Sequence, residues 1–213
     1  MQVKVNVVDY GIGNLFSVLR SLERAGASPE LVTDAKQVAQ AERLILPGVG
    51  AFADCMQALR AGGLSDGVQA FIETGRPFLG LCVGMQMLLT ESEEFGSTYG
   101  LGVIPGRVCR LPERSRTGLS LKVPHIGWSA LKKNSADWNQ TLLHSIKPSE
   151  SAVYFVHSFE ARPENPAHVL AHCDYEGHPV TAAVRREQIF GTQFHPEKSG
   201  PVGLQILRDF LRF

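Results

Sequence analysis

Cys82 stands between two glycines in the run Gly80-Leu81-Cys82-Val83-Gly84-Met85-Gln86. A cysteine attacks carbon as its thiolate, so the chemistry to look for around it is nucleophilic catalysis. Glycines two residues before and two after match the pattern of a nucleophile elbow, in which a strand turns sharply into a helix with no room for side chains beside the nucleophile. The apolar run Phe78-Leu79-Gly80-Leu81 supplies the strand, and Met85, Leu88 and Leu89 are expected on the buried face of the helix that follows. A thiol in the first turn of that helix would feel the positive end of the helix dipole, which favours thiolate over thiol. A free cysteine is more often a small buried hydrophobe, so its neighbours decide the reading. Gln86, one helical turn on and on the same side, places a carboxamide that is wasted in a core but useful against a polar substrate.

Such a nucleophile needs an imidazole, and the imidazole needs a group to hold it. Among seven histidines, His195 follows the strand-like stretch Ile189 to Phe194 and is trailed by Pro196-Glu197. In an extended segment, residues two apart point the same way, so Glu197 is expected to meet His195 around a proline that keeps the segment out of a helix. Glu197 would then fix the tautomer and support the imidazolium. His125 and His157 lie beside strand-like runs and are weaker candidates; His144, His168, His172 and His178 read as exposed or core-edge residues. Acyl transfer also needs donors for the developing oxyanion. The elbow offers the Val83 N–H, and Pro47-Gly48-Val49-Gly50-Ala51-Phe52 offers a glycine loop at the end of a neighbouring strand. A phosphate-cradling loop fits this stretch less well, since it lacks a Gly-Lys-Ser/Thr ending; a plain turn stays open.

These residues need a scaffold, and the patterning of the first hundred residues supplies one. Val3 to Val8, Pro29 to Thr33, Leu44 to Leu46 and Phe78 to Leu81 read as strands. Leu15, Val18, Leu19 and Leu22 recur at helical spacing with Gly26 as a stop, and helices are expected over Phe52 to Leu59 and Leu64 to Ile72. This alternation predicts an α/β fold with a mostly parallel central sheet covered by helices on both faces. Beyond Gly100 the texture turns strand-rich. Short strands are expected over Val103 to Leu111, Leu121 to His125, Ala152 to Phe159, Ala167 to Tyr175, Thr181 to Arg186 and Ile189 to His195, with a closing helix over Gly200 to Leu211. Arg114 to Gly118 reads as a mobile, polar, basic loop, and no repeat or linker composition divides residues 1–213, so one domain is expected.

Composition narrows the function classes. Lys and Arg number 21 against 21 Asp and Glu, so no basic field points to nucleic acid or an anionic membrane. Four separated cysteines without a C-x-x-C pair suggest neither a disulfide framework nor a zinc site. With no signal-like or membrane-spanning apolar run, a cytoplasmic location is expected. The chemistry read so far calls for no metal or other cofactor.

Taken together, the segments resemble the class I glutamine amidotransferases, and among them the glutaminase subunits of imidazole glycerol phosphate synthases. The elbow and His195-Pro196-Glu197 mark the wider family. Asp9-Tyr10-Gly11-Ile12-Gly13-Asn14, Pro124-His125-Ile126-Gly127-Trp128 and Tyr154-Phe155-Val156-His157-Ser158-Phe159 select the subfamily. The resemblance implies a Cys82-His195-Glu197 triad that converts glutamine to glutamate through a thioester. It also implies a (β/α)8-barrel cyclase partner that takes the ammonia to form imidazole glycerol phosphate in histidine biosynthesis. By the same resemblance Gly50, Val83, Gln86, Glu94, Ser158 and Phe159 contact glutamine, while Asn14, Trp128 and Lys198 face the partner. The family often carries Asn after the Gly-Trp pair, where this chain has Ser129. Other amidotransferase pathways, a γ-glutamyl hydrolase, or a non-catalytic module on the same fold are the alternatives.

Overall fold

A computed structural model describes residues 2–115, 118–133 and 136–213. The chain opens with β1 (Val3–Val8), α1 (Leu15–Ala25), β2 (Ala27–Val32), α2 (Ala35–Gln40), β3 (Leu44–Gly48), α3 (Phe52–Ala61), α4 (Leu64–Glu73) and β4 (Phe78–Cys82). A one-turn helix α5 (Val83–Gln86) follows, then β5 (Leu89–Ser92), β6 (Thr98–Tyr99) and β7 (Ile104–Arg110). After these come β8 (His125–Ala130), β9 (Lys132–Lys133), β10 (Ala152–His157), β11 (Phe159–Pro163), β12 (Val169–Tyr175), β13 (His178–Arg186), β14 (Ile189–Thr192) and α6 (Gly200–Phe210).

The central sheet has eight strands in the order β2-β1-β3-β4-β14-β13-β12-β9. Its first five strands are parallel, and β13, β12 and β9 continue it antiparallel. Both halves of the chain therefore build one sheet, with β14 laid directly beside β4. Strand periodicity explains the two cores. Ile45, Leu79 and Leu81 point to one face, where Val18 and Leu22 of α1 and Ile206, Leu207 and Phe210 of α6 cover them. Leu44, Leu46 and Phe78 point to the other, against Val38 of α2, Phe52 and Met56 of α3 and Val68 and Phe71 of α4. A four-stranded sheet, β11-β7-β5-β6, and the antiparallel pair β8–β10 sit beside this core.

Several boundaries differ from the expected ones for identifiable reasons. Helix α1 ends on Gly26 at φ 104° as expected, the left-handed stop that glycine tolerates. Strand β2 starts before Pro29 because it is an edge strand, where a residue without N–H costs no ladder bond. Helix α2 went unforeseen although Asp34 caps it, accepting from the N–H groups of Lys36 and Gln37 at 3.0 and 3.1 Å. No strand forms over Leu121 to Pro124: proline cannot donate to a ladder, and β8 starts at His125. Ala152 to Phe159 is two strands, because the chain leaves β10 at Ser158 and enters a different sheet as β11. In the expected Arg114–Gly118 loop, Arg114 bridges to Ser120 and its Nη1 donates to the Gly118 carbonyl, while residues 116–117 lie outside the described residues. Among the described residues no helix is long and apolar enough to cross a membrane.

Candidate active site

At the end of β4 the backbone turns through Cys82 at φ 53° and ψ −109°, a conformation that L-residues rarely adopt. Holding it costs on the order of 1–3 kcal/mol, which the surrounding packing must supply. Three glycines make the turn sterically feasible. A Cβ at Gly84 would lie 2.0 Å from the Leu46 carbonyl oxygen, one at Gly80 2.5 Å from the Gly84 oxygen, and one at Gly48 2.6 Å from the Gly84 nitrogen. The spacing around Cys82 thus reports a three-way backbone contact between β3, β4 and the elbow. The expected long helix is absent: α5 has four residues, Val83 to Gln86, and Leu89 already belongs to β5. Met85, Leu88 and Leu89 are all buried, but on a helix, a turn and a strand, so their apolar character does not trace a helical face. With so short a helix, little of a macrodipole acts on the sulfur.

His195 lies directly beyond β14, next to β4, which brings it to the same end of the sheet as Cys82. Its Nδ1 is 2.7 Å from Glu197 Oε1, and both side chains are almost fully buried. The pairing is as expected but its cause is not an extended segment. Pro196 opens a 3-10 turn, Pro196–Lys198, and the turn folds Glu197 back onto the ring. The His195 backbone is fixed as well: its N–H donates to the Tyr154 carbonyl at 3.0 Å, and its carbonyl accepts from Ser199 Oγ at 2.6 Å. Burial disfavours a charged His195 ring, but hydrogen bonding to Cys82 and Glu197 and their negative charges outweigh it. The pKa is raised from 6.5 to about 10.

The glycine loop after β3 is held at three points. Tyr10 Oη donates to the Pro47 carbonyl at 2.7 Å, Cys55 Sγ to the Val49 carbonyl at 3.3 Å, and the Phe52 N–H to Glu94 Oε2 at 2.7 Å. Gly50 sits at φ +88°, which requires glycine.

A cavity of about 390 Å³ opens over Cys82. Its walls hold Gly50, Val83, Gln86, Glu94, Ser158, Phe159 and His195, every residue expected to touch substrate, with Lys198 on the rim. Glu197 does not line it but stands behind His195, facing a groove of about 550 Å³ beside Phe16 and Arg20 of α1. Asn14 and Trp128 also lie outside it. Asn14 precedes α1 without capping it through its side chain, and Phe16 beside it is 74% exposed. Trp128 is 58% exposed on the outward side of β8, edge-on to Tyr154.

Two polar arrangements escaped the sequence reading. Gln86 Nε2 donates to the Phe159 carbonyl at 3.1 Å and to Gln193 Oε1 at 3.0 Å, and Gln193 Nε2 in turn faces Cys82 Sγ at 3.7 Å. Separately, His157 and His125 form a buried chain. His157 Nδ1 must donate to the Phe159 carbonyl at 2.8 Å, so its Nε2 accepts from His125 Nδ1 at 3.0 Å. His125 Nε2 then accepts from Ser129 Oγ at 3.1 Å. Burial lowers the pKa of His157 to about 3 and of His125 to about 4, so both are neutral at pH 7. His178 is buried rather than core-edge, its Nε2 3.0 Å from Glu160 Oε1.

Comparisons with known proteins bear on the family and the fold. Residues 6–212 match the family described as glutamine amidotransferase class-I. A relative in Legionella pneumophila (strain Lens), the imidazole glycerol phosphate synthase subunit HisH 1, is 47% identical over 210 residues, 98% of each chain. The HisH subunit of Syntrophotalea carbinolica is 48% identical over 205 residues, 96% of this chain and 97% of that one. Among solved structures, PurLQS from Thermotoga maritima superposes with a TM-score of 0.74 at 19% identity, covering 100% of this chain and 99% of that one. The glutaminase domain of CTPS from Trypanosoma brucei, solved with bound acivicin, gives 0.58 at 17% identity over 99% and 94% of the two chains. At such identities the structural likeness bears on the fold.

Proposed function

This chain belongs to the class-I glutamine amidotransferase family, and from that premise we propose that Cys82, His195 and Glu197 are its glutaminase triad. It is the glutaminase subunit of an imidazole glycerol phosphate synthase, supplying ammonia to a cyclase in histidine biosynthesis. The observation that carries the triad is the 2.7 Å His195–Glu197 pair beside a cysteine held in an elbow, with Cys82 and His195 facing one cavity and Glu197 behind the ring.

In the proposed reaction, the Cys82 thiolate adds to the side-chain amide carbon of glutamine. The resulting oxyanion is met by the Val83 N–H, at the first position of α5, and by the Gly50 N–H. Support for the second donor comes from Cys55: it takes the Val49 carbonyl, and in a trans peptide the Gly50 N–H then points away from Cys55. His195 as imidazolium protonates the leaving nitrogen, ammonia departs, and a glutamyl thioester remains. His195, now neutral, takes a proton from water as it adds to the thioester. The carbon–sulfur bond breaks, its electron pair returns to Sγ, and glutamate leaves, restoring the thiolate–imidazolium pair. Glu197 holds Nδ1–H and so keeps Nε2 turned to the reaction.

Both N–H groups of Gln86 are already committed, which leaves its Oε1 to accept from the substrate. Glu94 Oε2 is taken by Phe52, leaving Oε1 for the same task. Ser158 and Phe159 complete the wall at the β10–β11 junction. For the partner, we place a (β/α)8-barrel cyclase against the face that carries Asn14, Trp128 and Lys198, in a cytoplasmic complex. Exposed Phe16 and Ile126 beside them supply apolar area for such a contact. The test is glutamine hydrolysis with the cyclase and its phosphoribulosyl substrate present. Cys82→Ser is expected to abolish it while keeping the association; full hydrolysis by Cys82→Ser refutes the triad.

A further inference from the structure

We propose that Gln193 is a further catalytic residue, a neutral donor that stabilises the Cys82 thiolate; this deepens the glutaminase reading and rests on it. Gln193 is fully buried between β14 and His195, and its Nε2 lies 3.7 Å from Cys82 Sγ, within reach of an N–H···S bond. Its orientation is not free. Gln86, itself 3% exposed, donates to Gln193 Oε1 at 3.0 Å, and that bond leaves only the amino group of Gln193 to face the sulfur. Gln86 is anchored in turn by the Phe159 carbonyl at 3.1 Å. Two carboxamides in series therefore aim one N–H at Sγ from the interior, while His195 approaches as part of the cavity wall.

A buried N–H gains most from the strongest acceptor available, and a thiolate accepts far better than a thiol or a thioester. Gln193 thus favours the ionised nucleophile before attack. It acts again when the thioester is hydrolysed: water has added, the carbon–sulfur bond breaks, and the returning electron pair on Sγ regains the N–H bond. The amide undergoes no proton transfer, so no further reactant is needed. The short α5 leaves room for this contribution beside the His195 imidazolium, because four residues provide little dipole at the sulfur.

Among the described residues, the other titratable groups that act on Cys82 are His195 after β14, Tyr10 after β1 and Cys55 on α3. Burial raises the pKa of both Tyr10 and Cys55, which favours their neutral forms. Glu94 and Lys198 stand further out, on the cavity wall and rim.

The experiment is the pH profile of Cys82 alkylation by iodoacetamide, followed by intact mass, in wild type, Gln193→Met and Gln86→Leu. Methionine keeps the length and removes the donor; leucine leaves Gln193 in place but removes its anchor. The midpoint is expected to rise by about one pH unit or more in Gln193→Met, roughly a tenfold loss of rate below it, and by less in Gln86→Leu. Thermal unfolding identifies a variant that fails to fold, in which case the other decides. A folded variant with the wild-type profile overturns the role of Gln193. That outcome differs from failure of the glutaminase reading, which would appear as glutamine hydrolysis surviving Cys82→Ala.

Discussion

Replacing Glu197 by Gln keeps the shape of the side chain and removes its charge, which isolates what that charge does for His195. Raising the His195 pKa from 6.5 to about 10 corresponds to roughly 5 kcal/mol of preference for the imidazolium. Burial opposes that preference, and Cys82 followed by Glu197 supplies it. His157 shows the alternative: buried without an anionic partner, it falls to about 3. Assigning Glu197 a little under half gives about 2 kcal/mol, or a factor near 30 in protonation. The assay is NMR titration of the labelled His195 ring, with the midpoint expected to drop by about 1.5 pH units or more. Turnover should fall further, by about 100- to 10,000-fold with KM little changed, because the ring also loses the partner that holds its tautomer. Stability follows from the sign of the shift. A folded-state pKa above the unfolded value stabilises fully below pH 6.5, and the contribution is lost as pH rises through about 10. Glu197→Gln should therefore cost more in denaturant unfolding at pH 6 than at pH 10.5. An unmoved His195 midpoint, or a turnover number within twofold of wild type, refutes this account of Glu197.

Two further outcomes test the scaffold and the partner face. Gly84→Ala puts a methyl carbon 2.0 Å from the Leu46 carbonyl, so the elbow must move by about 1 Å; stability should drop by about 1–3 kcal/mol and turnover by roughly 100-fold. Unfolding and steady-state kinetics check both, and a wild-type turnover number would mean that the elbow geometry is not needed. Trp128→Ala removes an exposed ring and should leave the unfolding midpoint in place while weakening cyclase affinity by about tenfold or more. Calorimetric titration with the cyclase reads this directly, and unchanged affinity removes Trp128 from the interface.

What the sequence made legible was local and periodic. Glycine spacing around Cys82 announced the elbow because each glycine answers a backbone contact, and His195-Pro196-Glu197 carried its own turn. Helices α1, α3, α4 and α6 showed their apolar faces at helical spacing. Less legible was whatever depends on pairing distant segments. His125 and His157 are opposed only because β8 and β10 pair in one register. Gln193 meets Cys82 across 111 residues because β14 lies beside β4. The region after Cys82 misled for a different reason. Met85, Leu88 and Leu89 are apolar because everything there is buried, and full burial erases the period that separates a helix from a turn and a strand.

Covalent capture at Cys82 tests the central claim most directly. A glutamine analogue carrying an electrophile at the amide carbon position should add once per chain, with peptide mass spectrometry placing the adduct on Cys82. The free cysteines Cys55, Cys109 and Cys173 should stay unmodified, excess glutamine should protect, and Cys82→Ala should take up none. Stoichiometric, glutamine-protected labelling at any other residue, or labelling that persists in Cys82→Ala, would contradict the assignment of Cys82 as the nucleophile.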